Sequence, residues 1–503
     1  MPAVSPARKA AFAILMAVER GHSHSDDLLR GRAVDALSPA DRNLATALVL
    51  GVLRWQIRLD HQLQALLKRP NAKLDPEVLI ALRLGAFQLL HLDRIPARAA
   101  IDESVELAKQ AGHRFASGMV NAVLRKLSLL RHPDGEAPAL KGHGLGRLAA
   151  LDDLTGHDFS RAADAVKATG ALAPEGARSE ESPSDLALAE SHPHWMVERW
   201  ASFYGLEAAR AICRHGQNQP ALTVRLASPS VEAELTQAGI RLEPGELLTA
   251  ARTIASGDIT ATAPFSDGRV RLQDEGSQLI AEFICGSGTD LNQEVKRILD
   301  CCAAPGGKTL ILAECNPQAR IVACESSAQR LEQLRRRLAG HAERVECRLA
   351  DATALTEDSA FDLALADVPC SGTGTLGRNP EIRHRLRPED LPRQAERQRA
   401  ILKAALRAVR PGGRVVYSTC SLEPEENEQV VAAVLRETPN ARAISLETGI
   451  EALLGEGILT ASGAERLHRG LTPEGGLRLL PGAFHTDGFF IALMERTETP
   501  KVS

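Results

Sequence analysis

Two cysteines, Cys370 and Cys420, each stand just after a predicted β-strand, in Asp367-Val368-Pro369-Cys370 and Ser418-Thr419-Cys420. The carboxyl ends of neighbouring parallel strands meet at one edge of a sheet, so both thiols and Asp367 are expected to share an edge. Functional residues concentrate in such loops, which favours a functional role for these two cysteines. A free cysteine is otherwise most often a small buried hydrophobe, and this is our interpretation of Cys301, Cys324 and Cys347.

A glycine turn, Ala303-Ala304-Pro305-Gly306-Gly307-Lys308, follows the first strand of the same region. Adjacent glycines let the backbone turn tightly and approach a ligand, although a glycine turn alone is more often only a turn. Glu325 ends the next strand, where it can accept hydrogen bonds from ribose hydroxyls, and Asp351 ends the third, where it can meet an adenine amino group. The spacing is neither that of a dinucleotide fingerprint nor that of a P-loop. A nucleoside cofactor without a triphosphate is indicated.

Two thiols and a carboxylate beside such a cofactor meet the needs of methyl transfer to cytosine. Carbon 5 of cytosine is a weak nucleophile, but addition of a thiolate to carbon 6 activates it, and loss of the carbon 5 proton then expels the thiol. Asp367 could stabilise the charge that develops at ring nitrogen 3 if it is protonated or bridges to that nitrogen. Lys308 could help to lower a thiol pKa.

The elements that position these residues alternate between apolar β-branched runs and helical stretches. This alternation predicts a parallel sheet covered by helices on both faces, an α/β Rossmann-like domain over residues 271–498. Its predicted strands are Val295–Leu299, Arg320–Cys324, Val345–Leu349, Phe361–Ala366 and Arg414–Tyr417. The preceding residues, 186–270, are predicted to form a small α/β RNA-binding subdomain with one helical pattern at Trp195–Cys213 and a strand at Leu222–Leu226.

The amino-terminal part is predicted to be entirely helical, because apolar residues recur at three and four from Pro6 to about Leu130. Ser38 before Pro39, and Asp75 before Pro76, mark helix starts. We therefore assign residues 1–132 to an all-α domain. Residues 133–185 are rich in Ala, Gly and Pro without periodicity, which predicts a partly disordered linker.

Composition excludes several classes of protein. At 503 residues the chain is too long for one core, which predicts a multidomain protein. The nine cysteines lack paired spacing, so we expect reduced thiols and no metal site. No apolar run approaches the roughly 18 residues of a membrane span, which favours a cytoplasmic protein with no membrane partner. The formal charge is −4, yet residues 1–132 carry 19 Lys and Arg against 12 Asp and Glu. This excess suggests a nucleic-acid surface, and an ordinary solvated face is the alternative.

The region after residue 270 resembles the RNA cytosine-5 methyltransferases, which use S-adenosyl-L-methionine and carry one cysteine in an Asp-x-Pro-Cys motif and the nucleophile in a Thr-Cys motif. The resemblance also covers Gln273–Gln278, Arg378–Ile382, Glu423–Glu428, Leu480–Gly482 and Asp487–Phe490. It implies that Cys420 is the nucleophile and that Cys370 assists release of the methylated base. The cofactor would be lined by Cys302, Ala303, Ala304, Pro305, Gly306, Gly307, Lys308, Glu325, Asp351 and Asp367. The family more often has Asp where this chain has Glu325.

The first 132 residues resemble the NusB-like helical domain fused to one branch of that family, the bacterial 16S rRNA enzymes also called Sun or Fmu proteins. The motifs that carry this resemblance are Gly51–Trp55, Gly85–Leu90, Ile95-Pro96 and Val120–Arg125. The resemblance implies methylation of cytosine 967 in 16S rRNA, naked or in an early small-subunit particle, by a monomer. Three alternatives remain open: methylation of another RNA such as tRNA, a non-catalytic NusB-like antitermination protein, and a DNA cytosine methyltransferase.

Overall fold

The computed structural model describes residues 4–21, 24–70, 73–131, 182–285 and 295–498. The chain divides into two compact units, residues 1–189 and 190–503. Most of the predicted linker, 133–185, lies outside the described residues, as do 286–294.

The first unit is helical throughout its described residues. Its helices are α1 (Pro6–Glu19), α2 (Ser25–Leu29), α3 (Arg32–Asp35), α4 (Pro39–Leu66), α5 (Pro76–His91), α6 (Ala97–Gln110), α7 (Ser117–Arg131) and α8 (Pro183–Ala189). The predicted start of α4 is observed, because the Ser38 side chain accepts a hydrogen bond from the backbone N–H of Asp41. Helix α5 is buried on nearly every face and lies at the centre of one apolar core.

Helix α8 corrects two of the predicted boundaries. It packs against α4, with Leu186 and Ala187 buried, and Arg58 of α4 donates a hydrogen bond to the Ala189 carbonyl at 3.4 Å. The helical unit therefore includes Pro183–Ala189, which the sequence divided between the linker and the small subdomain. Two buried apolar side chains in a seven-residue helix are too short a pattern to reveal its packing partner.

The second unit begins with α9 (His194–Tyr204) and α10 (Leu206–Gln217) and a four-stranded antiparallel sheet. The single helix predicted over Trp195–Cys213 is wrong: Gly205, with φ of +84°, separates two helices. The sheet has the order β2-β3-β1-β4, with β1 (Thr223–Leu226), β2 (Arg241–Pro244), β3 (Ala251–Ser256) and β4 (Val270–Leu272), and it carries α11 (Ser230–Gln237) and α12 (Ala263–Ser266). The boundary predicted at residues 270 and 271 falls inside β4.

The large sheet has the order β10-β12-β9-β8-β5-β6-β7, and β11 pairs with β12 outside this path. The strands are β5 (Arg297–Asp300), β6 (Arg320–Glu325), β7 (Val345–Leu349), β8 (Phe361–Asp367), β9 (Val409–Thr419), β10 (Ala441–Ile444), β11 (Leu477–Leu479) and β12 (Phe489–Arg496). Strands β5 to β9 are parallel, as predicted, but β10, β11 and β12 pair antiparallel. The sheet is therefore mixed rather than parallel throughout.

Helices cover both faces of this sheet. They are α13 (Glu275–Cys285), α14 (Gly307–Cys315), α15 (Ala328–Arg337), α16 (Ile382–Arg385), α17 (Asp390–Ala408), α18 (Glu428–Glu437), α19 (Glu447–Gly455) and α20 (Ala461–Arg469). Two apolar cores result, one on each face. Within the described ranges, no helix is long and apolar enough to cross a membrane.

Candidate functional site

The two predicted thiols meet at the carboxyl edge of the sheet. Strands β8 and β9 are parallel neighbours, and Asp367 is paired with Ser418, so the loops that follow them lie side by side. The Sγ atoms of Cys370 and Cys420 are 3.3 Å apart. The hydrogen bond with Cys420 and burial raise the pKa of the Cys370 thiol well above its ordinary value. Cys370 therefore remains protonated and can donate a hydrogen bond to Cys420.

Lys308 and Asp367 form an ion pair beside the thiols. Lys308 Nζ lies 2.7 Å from Asp367 Oδ2, and the Ser418 hydroxyl donates to Asp367 Oδ1 at 2.7 Å. Burial opposes the charged ammonium, but Asp367 and its hydrogen bond outweigh burial and raise the pKa of Lys308. The lysine is thus held as a cation, and both oxygens of Asp367 are oriented.

The glycine turn follows β5 at the same edge. Gly306 has φ of +96° and caps α14, and a Cβ atom there would lie 2.8 Å from Leu334 Cδ1. The Ala303 N–H donates to the Cys324 carbonyl at 2.8 Å, which ties the turn to β6. The first N–H groups of α14 have no acceptor within the helix.

Glu325 is the last residue of β6, as predicted, and Asp351 lies just after the end of β7. Glu325 is buried, with Oε1 accepting from the Ser327 N–H at 2.8 Å and Oε2 lying 3.4 Å from Arg330 NH1. Asp351 is exposed and caps a short 3₁₀ turn through hydrogen bonds from Thr353, which lower the pKa of the Asp351 carboxyl. The Ala350 N–H donates to the Glu325 carbonyl, so the two strand ends are adjacent.

This edge fits a nucleoside cofactor that carries an amino acid. It presents three carboxylates, Glu325, Asp351 and Asp367, which are acceptors for hydroxyl, amino and ammonium groups. It also presents the amino end of α14, where N–H groups favour a carboxylate. Among the described residues, no group of three or more potential ligands is arranged to hold a metal ion.

Asp300, at the end of β5, is a buried residue that the sequence did not single out. Its Oδ2 accepts a hydrogen bond from Thr309 Oγ1 at 2.7 Å. Burial raises the pKa of Asp300 to about 7, and the Thr309 hydroxyl only partly opposes this shift. Its position directly before the glycine turn was visible in the sequence, but its burial was not.

A second carboxylate, Glu426, organises both cysteine loops. It is fully buried and accepts hydrogen bonds from the Ser371 N–H at 2.9 Å and from the hydroxyls of Ser371 and Ser421. Gln398 of α17 donates to Glu426 and to the Pro369 carbonyl, at 2.9 and 3.0 Å. Because Ser371 and Ser421 follow the two cysteines directly, Glu426 holds their loops together. Glu426 lies in the motif Glu423–Glu428, which the sequence resemblance includes, but the sequence indicated no role for this residue.

Helix α9 clamps the loop after Cys420. Trp200 Nε1 donates to Glu423 Oε1 at 3.0 Å, and Arg199 Nε donates to Glu423 Oε2 at 2.9 Å. Arg199 also reaches Glu425, and the Tyr204 hydroxyl bonds the Leu422 carbonyl. Burial raises the pKa of Glu423, and Trp200 and Arg199 oppose that shift by hydrogen bonding the carboxylate. Apart from a helical pattern, no feature of the sequence indicated this contact.

Known families match most of the chain. The family model of 16S rRNA methyltransferase RsmB/F matches residues 290–495, the NusB family matches 5–128, and an RsmF/B-like ferredoxin-like domain matches 192–257. The probable ribosomal RNA small subunit methyltransferase B of Bacillus subtilis (strain 168) is 32% identical, covering 97% of this chain and 98% of that protein. The chain belongs to the RsmB/F family of rRNA small-subunit methyltransferases. S-adenosylmethionine is the cofactor of this family, and RNA is its substrate.

Other relatives agree with this assignment. The ribosomal RNA small subunit methyltransferase B of Pseudomonas putida is 30% identical, covering 91% of this chain and 95% of that protein. Among solved structures, that of PH0851 has a TM-score of 0.70 at 21% identity and covers 98% of this chain and all of that one. NSun6 from Pyrococcus horikoshii with SFG has a TM-score of 0.51 at 18% identity, over 62% of this chain and all of that one. The two structural likenesses concern the fold. With the family matches, they confirm the predicted all-α NusB-like domain and Rossmann-like methyltransferase domain, and the small α/β subdomain is ferredoxin-like.

Proposed function

We propose that this RsmB/F family member methylates carbon 5 of a cytosine in 16S rRNA, cytosine 967, through a covalent adduct on Cys420. The observation that carries the proposal is the 3.3 Å approach of two thiols beside an ion-paired carboxylate, at the edge where the cofactor turn lies. A methyltransferase whose substrate is already a good nucleophile does not require two facing thiols, and a binding module does not require them either. Covalent activation of a pyrimidine uses one thiolate to add and a second group to assist elimination.

Each residue has a distinct role in this proposal. The Cys420 thiolate adds to carbon 6 of the cytosine, and the cation of Lys308 lies close enough to stabilise negative charge there. Asp367, oriented by Lys308 and Ser418, accepts the proton that the Cys420 thiol loses and donates it in a hydrogen bond to ring nitrogen 3, where negative charge develops during addition. Cys370 assists the elimination by donating a hydrogen bond to the Cys420 sulfur. Carbon 5 passes its proton to water, the electron pair of that bond forms the double bond to carbon 6, and the carbon 6–sulfur bond breaks with Cys420 leaving as a thiolate.

The cofactor-binding part of the proposal concerns the glycine turn and the carboxylates. S-adenosylmethionine supplies an electrophilic methyl group when bound. Residues 302–308 approach the cofactor mainly through backbone atoms, Glu325 accepts from the ribose hydroxyls and Asp351 accepts from the adenine amino group. Asp367 lines both the cofactor and the base, which brings the two reactants to one place.

Mapping of methylcytosine in ribosomal RNA tests this function. We expect one cytosine of 16S rRNA, at position 967, to lose its methyl group in cells that lack the protein. Complementation with the wild-type gene should restore the methyl group. Complementation with the gene for the Cys420→Ala variant should not restore it. Intact methylation of 16S rRNA in the deleted strain, with loss of methylcytosine from tRNA, would overturn the assignment of substrate.

A further inference from the structure

A cavity of about 360 Å³ lies beside the edge strand β11, and none of the residues that line it belongs to the cysteine loops or to the glycine turn. It is lined by three arginines, Arg466 and Arg469 of α20 and Arg478 of β11, and by Leu480, Ala483 and Phe484 of the loop that follows. A cavity of this size accommodates a small ligand. Three guanidinium groups around one cavity indicate that the ligand is an anion.

Two of the arginines are held in fixed positions. The guanidinium of Arg466 lies over the Phe484 ring, 5.6 Å from its centroid, and also donates to the Ala483 carbonyl at 2.6 Å. Arg478 lies over the Tyr204 ring at 5.0 Å. Each is also ion-paired, Arg466 with Glu246 and Arg478 with Glu428. These contacts hold the Arg466 and Arg478 side chains in place before a ligand binds, so binding does not require the loss of their side-chain conformational entropy.

Arg469 supplies the charge that is not compensated. It is exposed, and no carboxylate of the described residues pairs with it. Three arginines and two paired glutamates leave the cavity with a formal charge of +1. An unpaired guanidinium offers a planar fork of donors that matches a phosphate.

The register of the sheet places this cavity at the thiol edge. Arg478 of β11 is paired with Phe490 of β12, and Phe490 is paired with Thr419 of β9. Neighbouring strands are about 4.8 Å apart, so the backbone of Arg478 lies roughly 10 Å from Thr419, the residue before Cys420. The loop that lines the cavity continues to Gly488, whose N–H donates to the Gly374 carbonyl, and the Gly374 N–H donates to the Cys420 carbonyl.

We propose that this arginine cavity binds a backbone phosphate of the substrate RNA close to the nucleotide that is methylated. Enzymes that act on one base contact the flanking nucleotides to place it, and arginines are the usual partners of the phosphates. The position of the cavity, two strands from the nucleophile, suits a flanking phosphate rather than the reacting base. The inference rests on RNA as the substrate and adds a phosphate contact beside the residues of the proposed reaction.

The test measures RNA affinity of the full chain as a function of salt, with a transcript that the wild type methylates. Arg469→Gln should lower the slope of log affinity against log salt by about 1, because one phosphate contact is lost. The same substitution should weaken RNA binding about fivefold at low salt, which is the effect expected from losing one partly exposed ion pair. The KM for RNA should rise, with kcat and S-adenosylmethionine affinity unchanged. Arg469→Lys should keep the wild-type slope.

Arg320→Gln is the matched control. Arg320 is also exposed and has no ion-pair partner among the described residues. It is the first residue of β6 and therefore lies at the amino ends of the parallel strands, opposite the carboxyl ends where the thiols lie. It should leave the slope unchanged. An equal slope for Arg469→Gln and wild type would overturn the inference, and so would inorganic phosphate binding that is lost in Arg469→Gln while RNA binding is unaffected. Product analysis of the methylated base reports separately on the proposed function.

Discussion

The two thiols, 3.3 Å apart, differ in their surroundings, and on this difference we propose different chemical roles for them. Cys370 is kept protonated by Cys420 and by burial, whereas Cys420 stands near the cation of Lys308. A thiol that makes a bond and a thiol that helps to break it should fail differently when they are replaced.

We expect Cys420→Ala to abolish methylation and to form no adduct, because no thiolate remains to add to carbon 6. Cys370→Ala should also lose turnover but should accumulate a covalent protein–RNA complex, because addition proceeds and elimination stalls. A denaturing gel with labelled RNA, run with and without S-adenosylmethionine, distinguishes the two. An adduct in Cys420→Ala and not in Cys370→Ala would show that the roles are exchanged.

The proposed adenosine contacts are tested by substitutions that keep the local structure. Glu325→Gln retains an acceptor for the Ser327 N–H, and Asp351→Asn retains the cap on Thr353. Each should weaken S-adenosylmethionine binding by about 1–3 kcal/mol, because a ligand donor loses its charged acceptor. Calorimetry on both variants measures the effect, and unchanged affinity in both would remove these residues from the site.

Asp300 gives a prediction for stability against pH. Its pKa is about 7 in the folded chain, above the ordinary value of 3.8, so ionisation on raising the pH costs folding free energy. This cost is absent below about pH 4 and complete above about pH 7. Asp300→Asn should therefore be more stable than wild type at pH 8 by roughly 2–4 kcal/mol. Denaturant unfolding at several pH values measures the difference, which should vanish near pH 4; a constant difference would contradict the shifted pKa.

At the scale of elements, the catalytic edge depends on a helix that precedes the sheet in the sequence. Helix α9 contributes Arg199, Trp200 and Tyr204 to the loop after Cys420, and β9 alone would leave this loop without those hydrogen bonds. Loops at sheet edges are commonly mobile, so external contacts determine how well a nucleophile is placed.

Trp200→Phe removes the indole donor to Glu423 and keeps most of the packing. A buried carboxylate that loses one donor costs about 1–3 kcal/mol of stability. We expect the rate of adduct formation to fall about fivefold or more, as about 1 kcal/mol at the transition state implies, with unchanged cofactor affinity. Trp195→Phe, on the same helix without a hydrogen bond to that loop, is the control. Equal rates in the two variants would exclude a positioning role for Trp200.

Across the two units of the chain, we propose that RNA recognition and methyl transfer are divided between them. The charge of residues 1–132 is +7, and the remainder carries −11. Phosphate contacts need cations, so the helical unit is the expected source of general RNA affinity.

A truncated chain that begins at Glu190, the first residue of the second unit, should still bind S-adenosylmethionine but should select its RNA target poorly. The truncation starts after α8, because this helix belongs to the helical unit. Methyl transfer to 16S rRNA and to unrelated RNA, compared at equal salt, measures the selectivity. Site-selective methylation equal to that of the full chain would contradict a recognition role for residues 1–132.

The sequence alone was enough to predict which side chains meet at the carboxyl edge of the sheet, because side-chain types next to strand ends and a glycine turn are local features. Cys370, Cys420, Asp367, Lys308 and the turn were identified from such patterns. The antiparallel direction of β12 could not be predicted, because an apolar run in the sequence carries no information about which strand it pairs with or in which direction. The clamp of Trp200 on Glu423 joins residues 223 positions apart. Contacts of this kind arise only when the packed tertiary structure brings distant polar groups into one buried place, where each must find a partner.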